Sequence, residues 1–434
     1  MKKRLFGLYL ILHSVSSLAA IDFSLWGADM SLSGFATIGF AISDQPYKYQ
    51  RFIDDDGTFK RDSIAGGQLD INFNNDFSLT VQAKIAPSIS SDTAIMPELT
   101  WGFVSWRPTN DLLFRVGRVR VPFYLKSQIM DVGATFDFAH LPVEMYEIYS
   151  TNDIDGASVI KTWDFDAGEL TLEGYAGITH SYFRKAGFSF NPISEPVEFF
   201  PTETISYGLA LTFQSDEDTF HISAHDSYTR CTNCEKGNHF RVYFPYIEIM
   251  PGVGYYKVSN TMPGDDLPEV EVVHTLIYTA GADISLGHGF RLSGEYAFRN
   301  VKNINIGVDS HGGYIALSKS LGAWAPYFSI AHLQSTDKTM NMYNKVRNNV
   351  IPVIIPDSET LNATQQAGAA SIPAYNQTTW AIGTLYSINS TNKLKAEWAI
   401  TDTGNVSSFV DAPVNETSGN RLINVFSFSY NVVF

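Results

Sequence analysis

The sequence predicts an all-β protein, a transmembrane antiparallel β-barrel, and three observations carry this prediction. The chain of 434 residues opens on an export leader. Apolar and polar residues then alternate in segments of about ten residues, the length of a strand that crosses an outer membrane. The connections between these segments are alternately very short and long. Aromatic residues make up 14% of the chain, which suits a barrel with aromatic girdles.

The leader is residues 1–19. A basic start at 2–4 precedes a mostly apolar run from Leu5 to Val15, and Ser17-Leu18-Ala19 supplies the small residues of a cleavage site. The apolar run is shorter than the roughly 20 residues that a helix needs to cross a bilayer. We therefore expect cleavage after Ala19, with one residue later as the alternative, and a barrel formed by 20–434.

The strands are predicted from an alternation of period two. In residues 77–85 the odd positions are apolar and the even positions are polar, including Lys84. The same alternation is found in 68–74, 205–213, 219–225, 290–299 and 394–400. Because the pattern recurs along the whole chain with no helical stretch between, it predicts apolar side chains facing lipid and polar side chains facing a lumen.

The connections give the number of strands. Seven short turns, such as Asn75-Asp76 and Asp166-Ala167, alternate with eight long segments. The long segments lie near 43–63, 88–97, 120–155, 180–203, 229–270, 301–310, 335–375 and 402–420. This asymmetry is typical of periplasmic turns and external loops, and it predicts 16 strands with both termini on the periplasmic side. The segment 229–270 is either an external hairpin or two further strands, which would make 18.

The C-terminal segment supports the same fold. Aromatic and apolar residues alternate with small and polar ones from Val425 to Phe434, where the chain ends on an aromatic residue. This resembles the terminal strand signature of bacterial outer-membrane proteins, which implies recognition of Phe434 by the barrel assembly machinery. We expect this strand to pair with the first one, Leu32 to Ile42, because closure removes an exposed edge.

Charge and cysteine content exclude several kinds of partner. The formal net charge is −15, so nucleic acid is not an expected partner, since binding to it depends on basic residues. The two cysteines are Cys231 and Cys234. In an exported chain a local disulfide is the expected state, while a zinc site would need further ligands. No metal and no cofactor is expected.

A barrel of this size leaves a water-filled channel that a loop has to narrow. The candidate is the third external loop, about 121–155, whose acidic residues include Asp131, Asp137, Glu144 and Glu147. Arg115, Arg118 and Arg120 precede it. A bulge at Gly117 would turn Arg118 and Arg120 inward to face these acids, and the alternative places them at the membrane rim. Parity alone predicts further lumen residues: Lys84, Glu173, Arg291, Glu295, Arg299, Lys395 and Glu397.

The stretch from Arg115 to Phe123, followed by Leu141 to Tyr146, resembles the constriction-loop region of trimeric Gram-negative porins. It is similar to the branch near the phosphate- and dicarboxylate-type porins. The resemblance implies a third loop folded into the lumen, a homotrimer, contacts with outer-membrane lipid and lipopolysaccharide, and passive diffusion of small solutes. Lys and Arg together number only 30, which argues against phosphate selectivity.

Catalysis is not expected. His221, Ser223 and His225 share one face of a strand, but that face points into the lumen, and no nucleophile-elbow or His-Glu-x-x-His motif is present. An alternative function is a closed or gated barrel that acts as an adhesin or surface receptor through its long loops. Within one of these loops, Asn362 to Gln377 is expected to be mobile.

Overall fold

The described part of the structure, a computed structural model, covers residues 20–149, 152–186, 197–232, 244–257, 272–302, 308–411 and 418–434. The predicted leader, 1–19, lies outside the described residues, and so does Cys234, the predicted partner of Cys231. None of the helices in the described ranges is long and apolar enough to span a membrane.

The strands follow the predicted order along the chain. They are β1 (Ile21–Leu25), β2 (Ala28–Ser43), β3 (Ile64–Asn72), β4 (Phe77–Pro87), β5 (Ile95–Thr109), β6 (Leu112–Arg120), β7 (Asp153–Phe165), β8 (Gly168–Ala186), β9 (Val197–Gln214), β10 (Thr219–Cys231), β11 (Tyr246–Met250), β12 (Val253–Tyr256), β13 (Val272–Gly287), β14 (Phe290–Val301), β15 (Ser310–Lys319), β16 (Trp324–Ser335), β17 (Asn376–Ser387), β18 (Asn392–Asp402) and β19 (Leu422–Val433).

Sixteen of these strands close into one antiparallel barrel, as predicted. Each strand from β2 to β10 and from β13 to β19 pairs with its neighbour in the chain, β10 pairs directly with β13, and β19 pairs with β2. In the described residues, β11 and β12 pair with each other as a separate two-stranded sheet. The segment 229–270 therefore contributes an external hairpin, and the count of 18 does not apply.

The barrel closes at the chain terminus. Val425 to Val433 of β19 pair with Ser43 to Phe35 of β2, and two backbone hydrogen bonds of 2.9 and 3.0 Å join Gly34 to Phe434. A Cβ atom on Gly34 would lie 2.3 Å from the ring of Phe434, so this seam needs glycine there. The short strand β1 pairs with the periplasmic end of β2.

The two faces of the wall have opposite character. On β4, Ile85 is 56% exposed on the outside whereas Gln82 is 5% exposed on the inside. Aromatic rings gather on the outside near the periplasmic end. There the ring centroid of Trp106 lies 6.4 Å from that of Phe77 and 5.3 Å from that of Phe114. A closed barrel with an apolar outside satisfies its backbone in lipid, which places this chain in a membrane.

The external loops contain helices that the sequence did not predict. Helix α1 (Val143–Tyr146) lies in the third loop, and α2 (Asp337–Asn348) and α3 (Ser358–Ala370) lie in the seventh. Helix α3 includes most of the segment from Asn362 that was expected to be mobile. These two helices and the β11–β12 hairpin pack around a small apolar core formed by Phe244, Met340, Tyr343, Val346, Ala369 and Ile372. This external cap is defined as α2, α3 and the β11–β12 hairpin.

Candidate functional site

The third external loop, 121–152, folds into the lumen and crosses it. Residues 150 and 151 lie outside the described part, and the neck of the loop is closed by a bond of 2.8 Å from the Val121 amide to the Asn152 carbonyl. Asp131 contacts Lys84 of β4, and Leu125 contacts Glu295 of β14. Because β4 and β14 are eight strands apart in a ring of sixteen, the loop is fastened to opposite walls.

On one wall the loop is held by an ionic anchor. The Asp131 carboxylate accepts from Arg120 Nη2 at 2.7 Å and from Lys84 Nζ at 3.1 Å. Arg120 also donates to Asp153 at 2.8 Å and is 4% exposed. Burial alone would raise the pKa of Asp131, but the two cations outweigh it and hold that pKa at about 2. Three predicted lumen residues thus fasten the loop.

On the opposite wall the loop is held by a buried carboxylate. Glu295 Oε2 accepts from the Leu125 amide at 2.8 Å, and Oε1 accepts from the hydroxyl groups of Tyr146 and Tyr314. Buried carboxylates need such donors, because leaving their oxygens unpaired costs free energy. Glu295 was predicted to line the pore, and the structure places it beneath the loop.

Helix α1 carries a second buried carboxylate. Glu144 accepts from Gln377 Nε2 at 2.6 Å and from the Thr379 hydroxyl, both on β17. Burial raises the pKa of Glu144, and no cation is among its hydrogen-bond partners in the described residues. The contact fixes the short helix to a third part of the wall.

Two predicted arginines lie at opposite ends of the lumen. Arg299 is buried near the external end, where it donates to the Val308 carbonyl at 2.6 Å and to the carbonyl of Ile148 in the loop. Arg291 lies at the periplasmic end and pairs with Asp283. Asp283 also binds Lys126 of the loop at 3.0 Å, so Arg291 reaches the loop only indirectly.

The prediction of a bulge at Gly117 is wrong. The pairing of β6 with β5 and with β7 runs through Gly117 without a shift. The irregularities lie on β5: Thr100 is passed over in its pairing with β4, and its pairing with β6 shifts between Trp106 and Thr109. Gly117 instead has φ +132°, and a Cβ there would lie 2.2 Å from the Gly102 carbonyl oxygen.

Alternation holds from Arg115 to Arg118 and separates these two arginines, but Arg120, which shares the parity of Arg118, turns into the lumen at the end of β6 and binds Asp131 there. Arg118 lies on the outer face with Val116, where it binds Asp155 at 2.9 and 3.0 Å, so it does not line the lumen. Arg115 points inward with its guanidinium 5.0 Å from the ring centre of Phe103. Among the described residues Arg115 makes no ion pair within 4.0 Å.

Part of the lumen stays open at the periplasmic end. A cavity of about 320 Å³ lies against β3 to β6, with Asp70, Trp101 and Arg115 among its lining residues. Thr80 and Gln68 both donate to the Asp70 carboxylate at 2.7 Å, which fixes its orientation. In the loop above, Asp137 is half-buried and Glu147 is exposed, and neither makes an ion pair within the described ranges.

Sequence reasoning missed a hydrogen-bonded cluster beneath the neck of the loop. The Phe123 carbonyl accepts from Ser223 Oγ at 3.1 Å and from Thr279 Oγ1 at 2.7 Å. His225 lies between Ser223 at 2.6 Å and Tyr175 at 2.7 Å, with the Phe123 ring 4.1 Å from its own. The inward parity of these residues was visible, but their partner in a distant loop was not. The Ser223 hydroxyl donates to the loop backbone at Phe123 and is buried beneath it.

Two other lumen residues predicted by parity bind the loop or the wall of the barrel. Lys395 donates to the Phe138 carbonyl at 2.6 Å, and Glu397 accepts from the Tyr327 hydroxyl at 2.6 Å. Glu173 lies inside the barrel, and its Oε1 is buried without a hydrogen-bond partner among the described residues. No group of three or more His, Cys, Asp or Glu side chains suited to a metal occurs in the described ranges.

Comparison with known proteins shows the fold. No family model matches the chain, and no curated protein matches it in sequence. In structure it is similar to outer-membrane expressed OmpT of Vibrio cholerae, with 12% identity, 95% of this chain and 100% of that chain covered, and a TM-score of 0.52. It is equally similar to the outer membrane channel DcaP of Acinetobacter baumannii, with 11% identity, 96% and 100% covered, and a TM-score of 0.52. The chain thus has an outer-membrane barrel fold, as the sequence predicted.

Proposed function

We propose that this protein is a porin, a passive diffusion channel for small hydrophilic solutes and ions. The observation that carries the proposal is a closed barrel of sixteen strands with a polar inner wall, into which the chain folds its own third loop. A wall of this size encloses an aqueous channel, and an inward loop is the element that restricts its width. The open cavity beneath the loop supports a path for solute.

The lumen residues divide into two roles under this proposal. Six residues hold the loop, because their charged groups bind across the contact between the loop and the wall. They are Lys84, Arg120, Asp131, Glu144, Glu295 and Arg299. Arg115, Asp137 and Glu147 make no ion pair within 4.0 Å in the described ranges, and they are the proposed pore-lining residues. Since the loop is fastened to opposite walls, the open cross-section is only a fraction of the barrel, and we expect a low conductance for a barrel of this size.

The proposed assembly is a homotrimer in a membrane of lipid and lipopolysaccharide. Arg118 and Asp155 form a charged pair on the outer face, near the external ends of β6 and β7. A neighbouring subunit at this face would cover the pair. OmpT of Vibrio cholerae, which has the same fold, is described in a trimer form, with 11% identity, 94% of this chain and 100% of that chain covered, and a TM-score of 0.52. The proposal also includes removal of residues 1–19, a disulfide between Cys231 and Cys234, and recognition of Phe434 by the barrel assembly machinery.

A second candidate function is a closed or gated barrel that serves as an adhesin or surface receptor. The observation that favours it is the external cap, whose helices and hairpin pack around their own apolar core. Gln365 of α3 accepts from the Tyr256 amide at 2.8 Å, which joins the helix to the hairpin. An ordered external surface of this kind suits a binding role as well as a cover.

Single-channel recording in a planar bilayer tests the porin proposal. We expect small steps, grouped in threes for a trimer, and a reversal potential under a salt gradient that reports the charge of the lumen. The matched variants are Arg115→Gln and Arg118→Gln, which remove the same charge from opposite faces of one strand. Only Arg115→Gln should shift the reversal potential toward cation preference. Absence of steps from a folded, heat-modifiable protein would favour the receptor.

A further inference from the structure

Four charged residues meet at the external end of the barrel and come from four separate segments. Arg184, near the end of β8, donates to Asp92 at 2.9 Å and to Asp411 at 3.0 Å. Arg51 donates to the same Asp92 at 2.8 Å. Arg51 belongs to the first external loop, 44–63, Asp92 to the second, 88–94, and Asp411 to the eighth, 403–421.

These segments start from opposite sides of the barrel. Strand β8 is the seventh of the sixteen barrel strands, whereas the eighth loop joins the last two, β18 and β19. The bond between Arg184 and Asp411 therefore joins walls that are seven to eight strands apart. Asp92 enters from a third direction, between β4 and β5. Together the four side chains cross the mouth of the barrel.

One side of this crossing is a preassembled block. The first and eighth loops are joined by bonds from the Gln50 amide to the Phe409 carbonyl at 2.8 Å and from the Asp411 amide to the Lys48 carbonyl at 2.9 Å. Tyr49 and Val410 pack together in the same block. Asp411 is thus held at a fixed place, and the opposite wall reaches it through Arg184.

The contacts are well formed but depend on charge. The side chains of Arg184 and Asp411 are each 16% exposed, and those of Arg51 and Asp92 are 28% and 22% exposed. Arg184 uses both edges of its guanidinium on two carboxylates, the geometry in which arginine binds most strongly. Two positive and two negative charges balance, so removing either partner of Arg184 leaves an excess charge at the mouth.

We propose that Arg51, Asp92, Arg184 and Asp411 form a clasp that closes the external mouth, and that release of the clasp admits solute. The proposal rests on the channel function proposed above and adds a gate to it. The clasp is held together by ion pairs, whereas the external cap is held together by an apolar core. Salt weakens ion pairs much more than apolar contacts, because screening shortens the reach of charges to about 8 Å at physiological ionic strength and about 3 Å at 1 M. The gate should therefore respond to ionic strength.

The test compares single-channel recordings of wild type, Arg184→Gln, Asp411→Asn and a control, Arg230→Gln. Arg230 also lies at the external end of its strand, but on the outer surface, where it pairs with Glu203. We expect each clasp variant to raise the ratio of open to closed time about tenfold or more, since charge-assisted bonds are lost. The control should behave as wild type. With increasing salt, the wild type should gain open time and the clasp variants should not.

The outcomes separate the clasp from the channel. Equal open times for wild type, Arg184→Gln and Asp411→Asn, all shown to be folded by heat-modifiability, would overturn the clasp and leave the porin. Silence from every folded variant would overturn the channel itself and the gate with it. If Arg184→Gln fails to fold, Asp411→Asn decides alone, because Asp411 lies in a loop outside the strands.

Discussion

Asp131 anchors the folded-in loop to the wall, and its replacement by asparagine should release that part of the loop. The substitution keeps the size of the side chain and removes its charge. Arg120 and Lys84 would then face an amide in place of a carboxylate, at atoms now 2.7 and 3.1 Å away. The loop would lose an ionic contact that its own segment makes with β4 and β6.

The size of the effect follows from the surroundings. Removing one partner of a buried ion pair costs about 3–5 kcal/mol. Arg120 keeps Asp153 at 2.8 Å and Lys84 keeps Glu98 at 3.6 Å, so neither cation is left alone. We therefore expect the lower end, about 3 kcal/mol, for local release of the loop. At ~1.4 kcal/mol per tenfold change, the release equilibrium should rise about 100-fold.

Hydrogen exchange followed by mass spectrometry measures this local equilibrium. Peptides that contain Ser127 to Thr135 should exchange about 100-fold faster in Asp131→Asn, while peptides from the barrel strands should be unchanged. The matched control is Asp137→Asn in the same loop, because Asp137 makes no ion pair within the described ranges. Equal exchange in the two variants would refute the view that the ionic anchor holds the loop.

Three further predictions concern the same loop. Lowering the pH should reduce the protection of the loop amides, which is the intrinsic exchange rate at a given pH divided by the observed rate, in wild type and not in Asp131→Asn: the pKa of Asp131 is about 2 in the folded protein and roughly 3.9 when unfolded, so its stabilisation is complete above about pH 5 and is lost between about pH 4 and pH 2. Glu144→Gln should keep the loop docked at pH 7 as firmly as wild type, because burial raises the pKa of Glu144 and penalises its charged form. As the pH falls and Glu144 takes up a proton, docking of the wild-type loop should become more stable relative to this variant. Much faster exchange of the loop in the variant at pH 7 would contradict this prediction. Gly133→Val should displace the loop and lower the temperature of heat-modification, since a Cβ there would lie 2.2 Å from Asn431 Oδ1. The control is Gly67→Val, which should leave that temperature unchanged because a Cβ at Gly67 would have its nearest neighbour at 3.7 Å.

The barrel itself could be predicted because each strand carries its own evidence. The alternation in 77–85 needs no distant partner to be interpreted, since lipid on one side and water on the other impose it on every strand. The same rule placed Lys84, Arg115, Glu295 and Lys395 inside correctly by parity. It would also have placed Arg118 outside, where it lies, but it would have placed Arg120 outside as well, whereas Arg120 binds Asp131 in the lumen. The added assumption of a bulge at Gly117 was the error, since the irregularities lie on β5, at Thr100 and between Trp106 and Thr109.

The roles of the lumen charges could not be predicted in this way. Parity shows that a side chain faces the lumen, but not whether the loop occupies it. Glu295 and Arg115 have the same inward orientation, yet one is covered by the Leu125 amide and the other borders an open cavity. The difference depends on where a loop from another part of the chain comes to rest.

The sequence by itself determined the strand order, the two faces of the wall and the closure at Phe434, because these follow from local periodicity and from the cost of unpaired backbone in lipid. The tertiary structure alone decided which charges hold the loop, which make no ion pair within the described ranges, and how Arg184 meets Asp411 across the mouth. These contacts join residues tens to hundreds of positions apart. Their energies depend on distance and burial, and neither quantity is encoded in any short stretch of sequence.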